Sequence, residues 1–150
     1  MRKFSLLFIF ALAGAVAAGH PELGGIWMLD PSHSDIGASK IKSEKLSISQ
    51  EPEAVHISET VTGANGKETI SEISCNTAGE TCKVKDHGQA DVSFWYNAGM
   101  LVMTEIRHGN DWIVKRRLKP SDDGRTLTIE VIHLAPVEKT EMLTFTRGTT

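Results

Sequence analysis

From residue 25 onward the apolar positions of the chain recur in twos. Leu46 and Ile48, Val55 and Ile57, Val92, Phe94 and Tyr96, and Leu127, Ile129 and Val131 stand at alternate positions. An extended strand turns successive side chains to opposite faces, so this spacing predicts strands with one buried face rather than helices. Strands are predicted at 25–29, 45–50, 54–61, 67–75 and 83–85, then at 92–96, 100–107, 111–119, 125–134 and 138–147. Asn65-Gly66, Asn97-Ala98-Gly99, Gly109-Asn110 and Asp122-Asp123-Gly124 separate several of them. Gly and Asn accept the left-handed backbone of tight turns, which is why such sequences mark hairpins. The order is that of an all-β, antiparallel up-and-down meander of eight to ten strands. Closing into a barrel is how such a meander best hides its two edges. Residues 31–44, rich in Ser, Asp, Lys and Gly, show no strand pattern and are expected to form an Ω-like loop or a short helix.

The start of the chain obeys a different rule. Arg2 and Lys3 precede an apolar run over residues 4–18, which ends in Ala15, Ala17, Ala18 and then Gly19. A positive start, an apolar centre and small residues at the end are the layout of a secretory signal helix, here with cleavage expected after Ala17 to Gly19. The run is shorter than the ~20 residues a membrane-spanning helix needs. No Cys lies near its end to carry a lipid. The expected division is a signal peptide at 1–19 and one β domain at 20–150. The product is then exported, to a periplasm or outside the cell, and leaves the membrane once the leader is removed.

Charge and cysteines narrow the classes of function. Of 16 Lys and Arg, two belong to the leader, which leaves 14 against 19 Asp and Glu, a net charge of about −5. Nucleic acid and anionic membranes select clustered positive charge, so neither is expected as a partner. Cys75 and Cys82 are the two cysteines. In an oxidising compartment a lone pair is expected to bridge, here across a polar loop with Gly79 at its tip. Zinc would need four ligands and no second Cys pair exists. No His-x-His or His-Glu-x-x-His spacing occurs among the six His, so no metal and no cofactor is expected.

The two ends of the predicted domain carry a motif. Gly25-Ile26-Trp27 opens its first strand, and Thr144-Phe145-Thr146-Arg147 closes its last. A Gly-x-Trp on the first strand of such a meander, with a basic residue near the final strand, resembles the lipocalin pattern. The stretch from Gly24 to Ser34 also resembles the start of small exported bacterial proteins of lipocalin-like (calycin) type. The resemblance implies a closed barrel in which Arg147 packs over Trp27 at the base, through a guanidinium-over-indole contact. It also implies a small hydrophobic or amphipathic ligand inside the barrel. No Thr-Asp-Tyr type motif follows the Asn97 turn.

Arg116 is the interior candidate for contacting such a ligand. It shares a period-two face with Trp112, Val114 and Leu118, three apolar residues. An inward Arg could anchor a ligand carboxylate, pair with an internal acid such as Glu105, or reach solvent beyond a bulge. Phe94, Trp112 and Val114, together with Trp27, Leu127, Ile129 and Phe145, are expected to line the interior. Lys115, Arg117 and Lys119 fall on the opposite face as a solvated stripe. Ser32 and Ser34 flank His33, with Asp30 and Asp35 close by, a Ser/His/Asp set in one loop, where neighbouring residues do not satisfy triad geometry. No nucleophile with a base is identifiable, so an enzyme is the least favoured class and no catalytic residue is assigned. A binding barrel leads. A filled barrel working through its surface is the alternative. The sequence leaves the oligomeric state undefined.

Overall fold

The computed structural model describes residues 19–36, 41–84, 89–109 and 111–149. The expected signal helix and its cleavage region up to Ala18 lie outside the described residues, as do Lys85, His87 and Asn110. Among the described residues no helix is long and apolar enough to cross a membrane.

Ten antiparallel strands follow one another: β1 (Gly25–Leu29), β2 (Ile41–Gln50), β3 (Ala54–Gly63), β4 (Glu68–Asn76), β5 (Ala78–Val84), β6 (Ala90–Asn97), β7 (Met100–Arg107), β8 (Trp112–Pro120), β9 (Thr126–Ala135) and β10 (Lys139–Arg147). They hydrogen-bond in the order β4-β3-β2-β1-β10-β9-β8-β7-β6-β5. β1 pairs with β10 in register Trp27 to Arg147, so chain start and chain end join in mid-sheet. The barrel is nearly closed. β4 and β5 are its two edges, and among the described residues no ladder joins them.

Two stretches differ from the sequence expectation. Residues 41–44 are strand, not loop, because Glu44 continues the inward series of Leu46 and Ile48. The described part of the remaining connection, up to residue 36, contains a short 3-10 turn at Pro31–His33, with the Asp30 side chain accepting from the Ser32 amide. The segment between the cysteines is also mostly strand. β5 begins at Ala78, and Gly79 takes a positive φ of 83° where the β5–β6 register shifts. The Cys75–Cys82 disulfide therefore ties the end of β4 to β5, at a Cα separation of 5.7 Å. It crosses the seam that lacks a ladder.

One end of the barrel is packed solid. Trp27, Phe94, Phe145, Leu101, Leu127 and Val55 are all fully buried there. Trp27 donates its indole N–H to the Leu23 carbonyl at 2.9 Å, and Leu23 is buried too. The Arg147 guanidinium lies 4.3 Å over the Trp27 ring. It donates to the Gly24 carbonyl at 2.9 Å and the Gly124 carbonyl at 2.7 Å, so one side chain ties three segments across this end. Gly25 has φ 130°, and a Cβ there would stand 2.5 Å from Arg147 Nη1. The residues before β1 cross the same end. Gln50 donates to the Pro21 carbonyl and to Tyr96 Oη, and His20 stacks on the Tyr96 ring at 3.8 Å.

Candidate functional site

The other half of the barrel is hollow. A cavity of about 240 Å³ is walled by Ile41, Val61, Ile129, Val131 and Leu143 among others. Its polar groups are Asp35, Glu44, Glu59, Arg116, His133 and Glu141. Two smaller voids of about 20 and 30 Å³ adjoin Glu59 and Arg116. All three spaces share this pair.

Arg116 sits on β8 and Glu59 on β3, five strands apart in either direction around the barrel. Arg116 Nη1 donates to Glu59 Oε1 at 3.2 Å, a bond that spans the lumen from wall to wall. The Arg116 face does point inward. Of the alternatives open for it, Glu105 is not its hydrogen-bonded acid. Met103 faces Arg116 across the β7–β8 ladder and Glu105 faces Val114, so Glu105 is only a diagonal neighbour. Glu105 instead accepts from Arg107 Nε at 2.8 Å. Its charge still adds to the field that raises the Arg116 pKa, after the larger effect of Glu59.

Glu44 completes the group. Leu46 and Glu59 are paired across β2 and β3, and Glu44 pairs with Val61, which sets the two carboxyls diagonally on the inner face. Glu44 is 6 % exposed. Burial, then the charge of Glu59, push its carboxyl up to about 8. Glu59 moves the other way, held below the usual carboxylate range chiefly by the Arg116 guanidinium. At neutral pH the pair thus holds one proton, on Glu44, and one negative charge, on Glu59, opposite one guanidinium. Arg116 Nε is shielded from solvent and has no hydrogen-bond partner among the described residues.

At the mouth, His133 contacts Glu141 at 3.1 Å, Lys139 reaches the same carboxylate, and Asp35 accepts from the Met142 amide. Burial opposes ionisation of Glu141, yet Lys139 and His133 together leave its pKa lowered.

The other residues singled out in the sequence lie elsewhere. Phe94 and Val114 are fully buried in the packed core and do not border the cavity. Trp112 is half-buried, with the Arg107 guanidinium 4.2 Å over its ring, and is likewise off the cavity wall. Of the expected lining residues, Ile129 and Arg116 border the hollow half. Large aromatic side chains, Trp27, Phe94 and Phe145, are instead fully buried in the packed core. Glu44 and Glu59 went unrecognised, although Val55, Ile57, Glu59 and Val61 share one period-two face. That pattern marks Glu59 as an inward acid. On the outer face Arg117 pairs with Glu130 at 2.8 Å and Lys115 lies 5.9 Å over Trp95.

The Asp30, Ser32 and His33 side chains do touch one another. Ser32 Oγ and Asp30 Oδ2 both contact the same nitrogen, His33 Nδ1, at 3.0 and 2.7 Å. A proton relay needs the acid and the hydroxyl on opposite ring nitrogens, so this set caps a turn. Among the described residues no three His, Cys, Asp or Glu side chains are grouped to hold a metal.

No family model and no curated protein matches the sequence. Solved structures do match the fold. The fluorescent protein UnaG aligns over 84 % of this chain and 97 % of its own, with TM-score 0.63 and 11 % identity. Fatty-acid-binding protein 1 of Echinococcus granulosus aligns over 85 % and 98 %, with TM-score 0.62 and 13 % identity. Secretory abundant heat soluble protein 4 of Ramazzottius varieornatus aligns over 84 % and 94 %, with TM-score 0.62 and 12 % identity. The chain therefore has the fold of the calycin-type β-barrels to which the fatty-acid-binding proteins belong.

Proposed function

We propose that this protein is an exported carrier that holds a small apolar or amphipathic molecule in the hollow half of its barrel. The observation that carries the reading is an apolar-walled cavity ending on a polar floor, Glu44, Glu59 and Arg116. An apolar lumen with a few fixed polar groups is the usual design of a small-molecule site. One structural neighbour is named as a fatty-acid-binding protein, which is consistent with a lumenal ligand. The cavity, at about 240 Å³, is smaller than the ~300 Å³ at which drug-sized sites begin. At the ~30 Å³ that a water occupies in the liquid, it has room for about eight non-hydrogen atoms. The ligand is correspondingly short. Export rests on the leader pattern at 1–19 and on a disulfide, which persists in oxidising compartments.

The modest cavity and the solid packing of the opposite half also favour a second reading, a structural barrel acting through its surface. Native mass spectrometry of protein purified from its own host separates the two. The carrier reading expects an added small mass, lost in a Leu143→Trp variant that fills the cavity. A bare mature mass, with no small molecule retained at any stage, supports the second reading. The same spectrum reports the leader: an uncleaved chain in the exported fraction, or no exported chain, overturns export.

A further inference from the structure

Among the described residues of the lumen the acids Glu44, Glu59 and Glu105 outnumber the cations Arg116 and Arg107, and the proton on Glu44 is what balances the charge. Glu59 is paired with Arg116 and Glu105 with Arg107. Glu44, the most buried of the acids on the cavity wall, contacts another carboxyl and no cation of its own. Two carboxyls therefore share one guanidinium beside an apolar cavity. Among the described residues, the groups facing this floor from other elements add no free positive charge. Asp35 and Glu141 are acids, His133 is bound to Glu141, and Lys139 is exposed and held by the same carboxylate.

Building on the carrier reading, we propose that the lumenal ligand is a short-chain amine, with its ammonium against Glu44 and its carbon chain along Ile41, Val61, Ile129 and Leu143. A fatty-acid carboxylate would be a third carboxyl on the same floor. Arg116 already donates to Glu59 through Nη1, so that carboxylate would compete with Glu59 for the same guanidinium. An ammonium supplies a cation and donates to Glu44, the most solvent-shielded acid of the cavity wall. This is the charge-assisted bond expected to be strongest in a dry site.

In the empty barrel a proton takes the cation's place on Glu44. When the ammonium binds, Glu44 loses that proton to solvent, and the ammonium keeps its own three. Below the Glu44 pKa of about 8 each amine bound releases about one proton, and affinity rises about tenfold per pH unit. Of the groups facing Glu44, Glu59 and Arg116 stay charged through this range. His133 also borders the cavity, in contact with Glu141.

The test is calorimetric titration of the full purified protein with n-hexylamine, 1-hexanol and hexanoate at pH 6, 7 and 8. Each amine titration is repeated in two buffers of different ionisation heat, to count protons released. The expected result is amine binding at least tenfold tighter than hexanoate at pH 8, falling about tenfold per unit toward pH 6, with about one proton released. Glu44→Gln abolishes that slope and that proton. If the slope survives in E44Q, the assignment to Glu44 is wrong. Hexanoate binding as tightly as the amine, or amine binding without proton release, overturns the amine proposal but leaves the carrier reading standing. If none of the three binds, both fall.

Discussion

The Glu44→Gln substitution is expected to stabilise the folded protein at neutral pH, although it alters a buried residue of the lumen. Folding forces Glu44 to keep a proton that it would otherwise shed. Its pKa is about 8 in the fold and 4.5 without the fold's influence. A folded pKa raised above the unfolded one contributes full stability below pH 4.5, and that stability is lost as pH rises toward 8. The total is on the order of 5 kcal/mol, at about 1.4 kcal/mol per pH unit. At pH 7 roughly 3 kcal/mol has gone. Glutamine matches the shape of the protonated acid, can still donate to Glu59, and has no proton to lose. E44Q should therefore equal the wild type near pH 4.5 and exceed it by about 2–3 kcal/mol at pH 7, or roughly 10 °C in Tm. Glu59 acts on a different limb. Its lowered pKa stabilises above the ordinary carboxylate range and is lost only as pH falls below it. Urea unfolding of both proteins from pH 4.5 to pH 9, with the disulfide intact, measures the difference and cancels every other titration. Parallel profiles, or an E44Q variant less stable at pH 7, would refute the proton-sharing pair.

Other consequences follow from the same geometry. Arg116→Met strands Glu59 without its cation and should cost about 3 kcal/mol, because removing one partner of a buried pair leaves an uncompensated charge. The Glu59→Gln/Arg116→Met double variant should recover most of that loss in urea unfolding, and additive losses would deny the coupling. Gly25→Ala places a Cβ 2.5 Å from Arg147 Nη1 at a backbone φ of 130°. It should cost about 2 kcal/mol, and unchanged unfolding would show that the Arg147 clamp can yield. Replacing Cys75 and Cys82 with Ala should cost roughly 2.5 kcal/mol by freeing a short loop in the unfolded chain. A loss near zero would mean that the β4–β5 seam holds without it.

The alternation of apolar and polar residues was sufficient to identify an antiparallel meander, because the two-residue period of a strand is written directly into the chain. Local turn chemistry placed most boundaries, with β7 at 100–107 matching in full. The cysteine pair was legible from number and spacing. The start of β2 was missed because Glu44, an acid, interrupts the apolar reading of an inward face. Only the end of β5, at 83–84, was anticipated, because its first part lies among polar residues at a sheet edge.

The site divides in the same way. Period two could say that Arg116 and Glu59 each point inward on their own strands. Sequence pattern could not say that they meet, because β3 and β8 become opposite walls only when β1 and β10 pair and the sheet curls around. Nor could it say which half of the barrel is filled. That depends on where Trp27, Phe94 and Phe145 converge in space, and on the Arg147 clamp that closes their end. Facing direction is a property of a single strand and survives in one dimension. Partnership across the lumen is a distance between residues 57 apart in the chain, and only closure of the barrel determines it.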